Sequence, residues 1–452
     1  MSAFASDATV LIGTRALMGI GGAFIMPSTL SILTNVFTNP AERAKAIGIW
    51  AGVAALGIGI GPVAGGELLA HFWWGSVFLV NIPIVLLGLV LGYMLIPESR
   101  DPSVPRLDPL GSFLSIAGLG SVLWAIIEGP SHGWTSTSVL GGFVVGAAIL
   151  GAFLAWELHT DHPMLDIRFF ENPRFSAASG AITLTFLSLF GTIFLLTQYL
   201  QLVLGYSTVK AGAVLIPQAA VLMLFAPMST RWVRRFGNKV VVVTGMVIVA
   251  ASLLLMTTFT TTTGVYSVIL IAMLLGLGMA NIMAPATESI MGSLPREKAG
   301  VGSAMNDTTR QVGGAVGVAL LGSILSSRYG SSVSAALRGH VPAAIAAKAR
   351  DSVGSAVSLV NENPAAKPYA SQIANASRHA FVLGMHTAVV VAAVTMLIGA
   401  AGVLRWLPAR ATGDEPSRRA ADVLPELGPV DVVPAVQAAE LAVELEEQRD
   451  PV

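Results

Sequence analysis

The sequence predicts an all-α polytopic membrane protein, a helical bundle of about eleven transmembrane segments, and three observations predict it. Hydrophobic residues make up 54% of the 452 and charged residues only 12%, where a soluble domain carries roughly 25% charged. The mean hydropathy is +0.72. The apolar residues fall in long blocks separated by short polar punctuation, the pattern of repeated bilayer crossing. These Gly- and Ala-rich blocks lack the alternating segments of about ten residues that a membrane β-barrel requires.

Each element follows from length. About 20 helical residues, at roughly 1.5 Å apiece, cross a hydrocarbon core of about 30 Å. Eleven segments qualify, approximately 8–33, 44–70, 75–96, 108–128, 138–158, 175–204, 208–230, 239–259, 265–290, 299–327 and 379–407. Lys and Arg gather in one set of loops: Arg43 and Lys45, Arg100 and Arg106, Arg168 and Arg174, Arg231, Arg234, Arg235 and Lys239, then Arg296 and Lys298. The alternate short loops hold only Lys210. The positive-inside rule places the basic loops in the cytoplasm, the N-terminus outside and the C-terminus inside. Residues 329–378, rich in Ala and Ser, read as a long outside loop that is solvated or forms amphipathic helices. The tail 408–452 holds ten acidic and four basic residues with several prolines, so it reads as disordered.

Several function classes drop out. A formal net charge of zero and a pI of about 7.1 offer no basic surface for nucleic acid. The absence of Cys removes disulfides and thiol chemistry. No nucleophile–base pair, metal-ligand spacing or cofactor loop is legible, so an enzyme is not expected. No Walker motif is present, so no nucleotide cofactor is expected.

Four motifs bear on transport. Arg15 lies within the first segment, where an intramembrane Arg costs roughly 2.5–3.5 kcal/mol and should face a cavity or partner, unless it snorkels to the interface. In the second segment Gly57, Gly61 and Gly65 recur every four residues, with Gly66 following, the small-residue spacing that lets membrane helices touch. Pro62 removes a helical N–H and bends this helix. In the tenth segment Asp307 and Arg310 are three apart and can pair, with Gly313, Gly314 and Gly317 beyond them. Glu288, near the end of the ninth segment, is a further candidate for proton exchange. Glu67, Glu128 and Glu157 read as structural or interfacial, and His386 as a packed polar residue.

The string Gly57 to Gly66 resembles the antiporter motif of drug-exporting major facilitator proteins, and the string around Arg15 resembles the motif of the helix preceding it. The strings Trp74 to Pro83, Pro163 to Asp166, Ala284 to Thr287 and Arg310 to Ala315 resemble the fourteen-helix drug/proton antiporter branch, the QacA/EmrB type. This resemblance implies the major facilitator fold, with the eleven segments equivalent to the family's fourth through fourteenth helices and the first three lacking. It divides the chain into a partial amino-terminal half (1–97), two linking helices (98–173), a six-helix half (174–407) and the tail. Arg235, Gly237 and Lys239 then occupy a gating loop, with Arg234 where the family's loop usually has Asp. The implied function is secondary active export of a small lipophilic, cationic compound across the plasma membrane. Proton antiport would supply the energy, and Arg15, Asp307, Arg310 and Glu288 would be the coupling residues. Export of an endogenous metabolite and a transport-inactive membrane fragment remain open alternatives.

Overall fold

The structure, a computed structural model, describes residues 1–37, 46, 50, 53, 57, 60, 61, 63–96, 108–160, 163–165, 167–294 and 299–408. Among them every regular element is helical. The helices are α1 (Ala8–Val36), α2 (63–71), α3 (Ser76–Leu79), α4 (Asn81–Leu95), α5 (Pro109–His132), α6 (Thr137–His159), α7 (Pro173–Gln198) and α8 (Thr208–Phe236). They continue as α9 (Asn238–Leu255), α10 (Val265–Met291), α11 (Ala299–Leu337), α12 (Ala343–Ala349), α13 (Val353–Glu362) and α14 (Ala370–Trp406). Ten described helical stretches are long and apolar enough to span a bilayer. The segment expected at 44–70 lies partly outside the described residues, as do Pro62, the basic residues Arg43, Lys45, Arg100, Arg106, Arg296 and Lys298, and the tail from 409 onward.

Polar caps set the helix starts. Side chains of Asp7, Asp108, Ser136, Asn172 and Ser207 each accept a backbone N–H of the first turn, satisfying donors that have no partner within the helix. Pro109 and Pro173 occupy first-turn positions, where the missing N–H costs nothing. Between α8 and α9 the connection is the single residue Gly237, at φ 84° and ψ 156°. That left-handed conformation favours glycine.

The core lies among α7, α8, α9, α10, α11 and α14. Glycines bring their backbones together. A Cβ on Gly245 of α9 would stand 2.7 Å from the carbonyl oxygen of Gly278, and one on Gly278 of α10 would stand 2.8 Å from that of Gly245. The reciprocal contact leaves no room for side chains, which is how small residues let membrane helices pack. By contrast α4 buries none of its residues, and its mean apolarity all round suits a lipid-facing helix.

Helices α5 and α6 pack on each other, and α5 also lies along α11. Ser323 Oγ donates to the Ile126 carbonyl at 2.6 Å, and Trp134 Nε1 donates to Ser327 Oγ at 3.3 Å. On the opposite half, Thr208 Oγ1 at the start of α8 donates to the Gly66 carbonyl at 3.3 Å.

The segment 329–378 is mostly helical. Helix α11 runs on to Leu337 and α14 begins at Ala370, extending both spans well past the ends that hydropathy marks. Tyr329, Val333 and Leu337, spaced four apart, are buried together with Ile345, Ala349, Val353 and Ala356. The Tyr329 hydroxyl donates to the Ala349 carbonyl at 2.9 Å. An Ala- and Ser-rich composition averages out as polar, yet its apolar residues recur at helical spacing and find a shared core.

Candidate functional site

Polar groups converge where α11 meets α10 and α7. Close approach comes first. A Cβ on Gly313 would collide with the Thr183 carbonyl oxygen, and one on Gly317 with that of Leu187. The two glycines thus set α11 directly against the backbone of α7.

About two turns before this seam, Asn306 is fully buried and Asp307 is 7% exposed. Arg310 Nη2 donates to Thr287 Oγ1 of α10 at 3.1 Å, and Thr287 Oγ1 in turn donates to Asn306 Oδ1 at 3.3 Å. The Arg310 guanidinium also lies over the Phe186 ring of α7, 5.3 Å from its centroid, within range of a cation–π attraction. Spacing along the helix permits an Asp307–Arg310 pair, but among the described residues no ion pair joins them. Thr287 and Phe186 draw the guanidinium across the seam instead. Asp307 Oδ2, Asn306 Nδ2 and Arg310 Nε are buried without hydrogen-bond partners. Buried polar groups are nearly always paired, so this cluster is the chemically unfinished part of the bundle.

A row of aromatics leads away from it. Phe186 and Phe190 on α7 stack with centroids 5.9 Å apart, and Phe194 follows one turn later. Cβ atoms on Gly314 and Gly322 of α11 would each stand 3.2 Å from Phe190 and Phe194, so the glycines leave these rings their space. Phe190 and Phe194 remain about two-fifths exposed, at 43% and 39%.

The other expected residues fall elsewhere. Glu288 is exposed on α10, beside Thr287 in sequence but outside the cluster. Its neighbour Ser289 is buried and accepts from Asn238 Nδ2, at the first position of α9. The loop expected to gate condenses to Gly237, with Arg235 exposed above the Phe236 ring and Lys239 half-buried. Arg15 is exposed on α1. Gly57, Gly61 and Gly65 have no described neighbour within 4 Å of a built Cβ, whereas Gly66 meets Val209 N at 2.8 Å. Tyr199 is buried, stacks on Phe259 at 5.4 Å and donates its hydroxyl to the Thr260 carbonyl. His386 Nε2 lies 2.9 Å from the Phe259 carbonyl, which fixes that nitrogen as the donor.

Thr287, Asn306, Phe186 and Asn238 carry the geometry without having been marked as site residues in the sequence. Thr287 and Asn306 carry a signal in the sequence, the first lying two residues after Pro285 and the second beside Asp307.

Ten described helical stretches of bilayer-spanning length and apolarity define a polytopic membrane protein. The chain belongs to the major facilitator superfamily, whose profile matches residues 1–318. It is 38% identical over 407 residues to the multidrug efflux pump LfrA of Mycolicibacterium smegmatis, covering 89% of this chain and 79% of that protein. It is 32% identical over 405 residues to the methyl viologen resistance protein SmvA of Salmonella typhimurium, with 89% and 80% covered. It is also 29% identical over 415 residues to the multidrug resistance protein Stp of Mycobacterium tuberculosis, with 89% and 76% covered. The chain is a multi-pass membrane transporter, not an enzyme.

Proposed function

We propose that the chain exports lipophilic, cationic compounds by proton antiport and belongs to the fourteen-helix branch of its superfamily. The observation that carries the reading is Asp307, a carboxyl buried on α11 with one oxygen unpartnered, one turn from a guanidinium held by another helix. Charging such a group in a water-poor setting costs several kcal/mol, so taking up or losing a proton there changes the energy of the surrounding helices. An antiporter uses that difference to couple proton binding to a change of conformation, while the proton gradient supplies the energy. Arg310 supplies the countercharge, and its grip on Thr287 links Asp307's state to α10.

In this reading the Gly57–Gly66 string, bent by Pro62, is a hinge whose Gly66 end packs against Val209, and Arg15 a second intramembrane charge on the transport path. Arg235, Gly237 and Lys239 form the cytoplasmic turn that closes against α10 through Asn238 and Ser289. Glu288 is an entry point for protons from that side. Phe190 and Phe194 offer aromatic faces to a lipophilic cation. The names of the relatives support the substrate class, since methyl viologen is an organic dication and LfrA is a multidrug pump. The bundle sits in the plasma membrane with its C-terminus inside, and a proton gradient rather than nucleotide drives it.

The test is substrate-driven proton movement in everted membrane vesicles containing the chain, with ethidium or methyl viologen as substrate. The chain should release lumenal protons on substrate addition, Asp307→Asn should abolish the response, and Arg15→Ala should reduce it. Equal proton movement in the wild type and Asp307→Asn would remove Asp307 from coupling, and no flux above empty vesicles would overturn the antiport reading.

A further inference from the structure

Helices α5 and α6 contain a pair of carboxyls, one buried and one partly exposed, that the mechanism above does not use. Glu157, two residues before the end of α6, is 4% exposed. Its Oε2 accepts the Leu165 backbone N–H at 2.9 Å, while Oε1 is buried with no partner. Asp108, the capping residue of α5, accepts the Gly111 N–H at 2.8 Å through Oδ1 and the Trp156 indole N–H at 3.0 and 3.1 Å through its two oxygens. The two acids meet over Gly111: a Cβ there would stand 2.6 Å from Glu157 Oε1 and closer still to Asp108 Oδ2. Glycine at this position therefore leaves both oxygens bordering the space that a Cβ would fill.

Two like charges this close, one of them in a buried group, repel strongly in a low-dielectric setting. Two carboxyls sharing a site hold one proton between them for that reason. Among the described residues, the other charged or titratable groups on the elements packed here are Arg168 and Glu171, on the turn Ile167–Glu171 that packs on α6, and His159, whose Nδ1 lies 2.7 Å from the Ala155 carbonyl; Arg106, Asp161, His162 and Asp166 lie outside the described residues. Asp108 is tied down by its two N–H donors, so the orphaned oxygen is Glu157 Oε1.

We propose that Asp108 and Glu157 form a proton-binding site in the linking-helix pair, with a single proton held between Glu157 Oε1 and Asp108 Oδ2. The proton closes the interface between α5, α6 and the stretch at Met164–Leu165, where Ser112 Oγ also donates to Met164 Sδ at 3.3 Å. Because α5 is fastened to α11, the site reaches the helix that carries Asp307. It does not depend on Asp307 being the coupling group.

Infrared difference spectroscopy of the full chain in lipid vesicles at neutral pH tests this. The carbonyl stretch of a protonated carboxylic acid should be present in the wild type and lost in Glu157→Gln. It should weaken at least twofold in Asp108→Asn, whose amide keeps the caps but removes the second negative charge. A wild-type spectrum without a Glu157-dependent acid band overturns the proposal, as would happen if Arg168 neutralised both acids. A band unchanged in Asp108→Asn also overturns it, because Glu157 would then be protonated by burial alone. Size-exclusion profiles and helical circular dichroism of both variants establish that they are folded, and Glu157→Asp serves as a second acid-bearing variant should Glu157→Gln not fold.

Discussion

Arg310 and Thr287 lie on different helices, 3.1 Å apart, and their hydrogen bond takes the place of the pairing that Arg310 could have made with Asp307 on its own helix. A hydrogen bond to a charged group contributes about 1.5–3 kcal/mol. If it positions Arg310 for transport, Thr287→Val should slow substrate-driven proton flux roughly 10- to 100-fold, at about 1.4 kcal/mol per tenfold. Thr287→Ser should recover most of the rate. Flux in proteoliposomes decides the matter, and a wild-type rate in Thr287→Val would show that the contact only packs.

The seam between α7 and α11 should be intolerant of any side chain. Gly317→Ala places a methyl group against the Leu187 carbonyl, and overpacking of this kind costs about 1–3 kcal/mol. Gly180→Ala on α7 is the control, since nothing lies within 4 Å of its Cβ. Thermal unfolding in detergent should show a lower midpoint for Gly317→Ala and no loss for Gly180→Ala.

Gly237 makes a prediction of a different kind, because its constraint is conformational. At φ 84° a β-branched residue is strained by about 1–3 kcal/mol. Gly237→Val should lower the unfolding midpoint and reduce transport together, since the start of α9 and its Asn238–Ser289 contact would shift. Comparing thermal stability with the flux of the folded fraction separates the two effects.

Tyr329→Phe leaves the Ala349 carbonyl without its buried donor, at a cost of about 1–3 kcal/mol. Limited proteolysis from the side bearing residues 338–369 should cut this variant faster than the wild type. Equal cleavage rates would mean that apolar packing around Val333 and Leu337 suffices.

What was legible in the sequence was whatever depends on neighbours along the chain. Span length and the glycine spacing of α11 follow from helical periodicity, and both reappear in the structure. The extension of α11 to Leu337 escaped because hydropathy averages over a window, whereas Tyr329, Val333 and Leu337 act through spacing alone. Asp307 and Arg310 were identifiable as costly intramembrane charges. Their separation was not, because Thr287 is 23 residues from Arg310 in sequence and Phe186 belongs to another helix altogether. The burial of Glu157 was hidden for the same reason: its helix is amphipathic only in the company of α5.

Helix α11 has 39 residues, about 58 Å at the usual rise, roughly twice the thickness of a bilayer core of about 30 Å. Its contact with α7 at Gly317 falls near the midpoint. About 30 Å of rod therefore projects from that pivot to Leu337. A rotation of about 5° at the glycines sweeps the far tip through some 2–3 Å, enough on this geometry to break a hydrogen bond. Ser323, Ser327 and Tyr329 stand along that projecting arm, so they register motion at the pivot as a displacement that grows with distance.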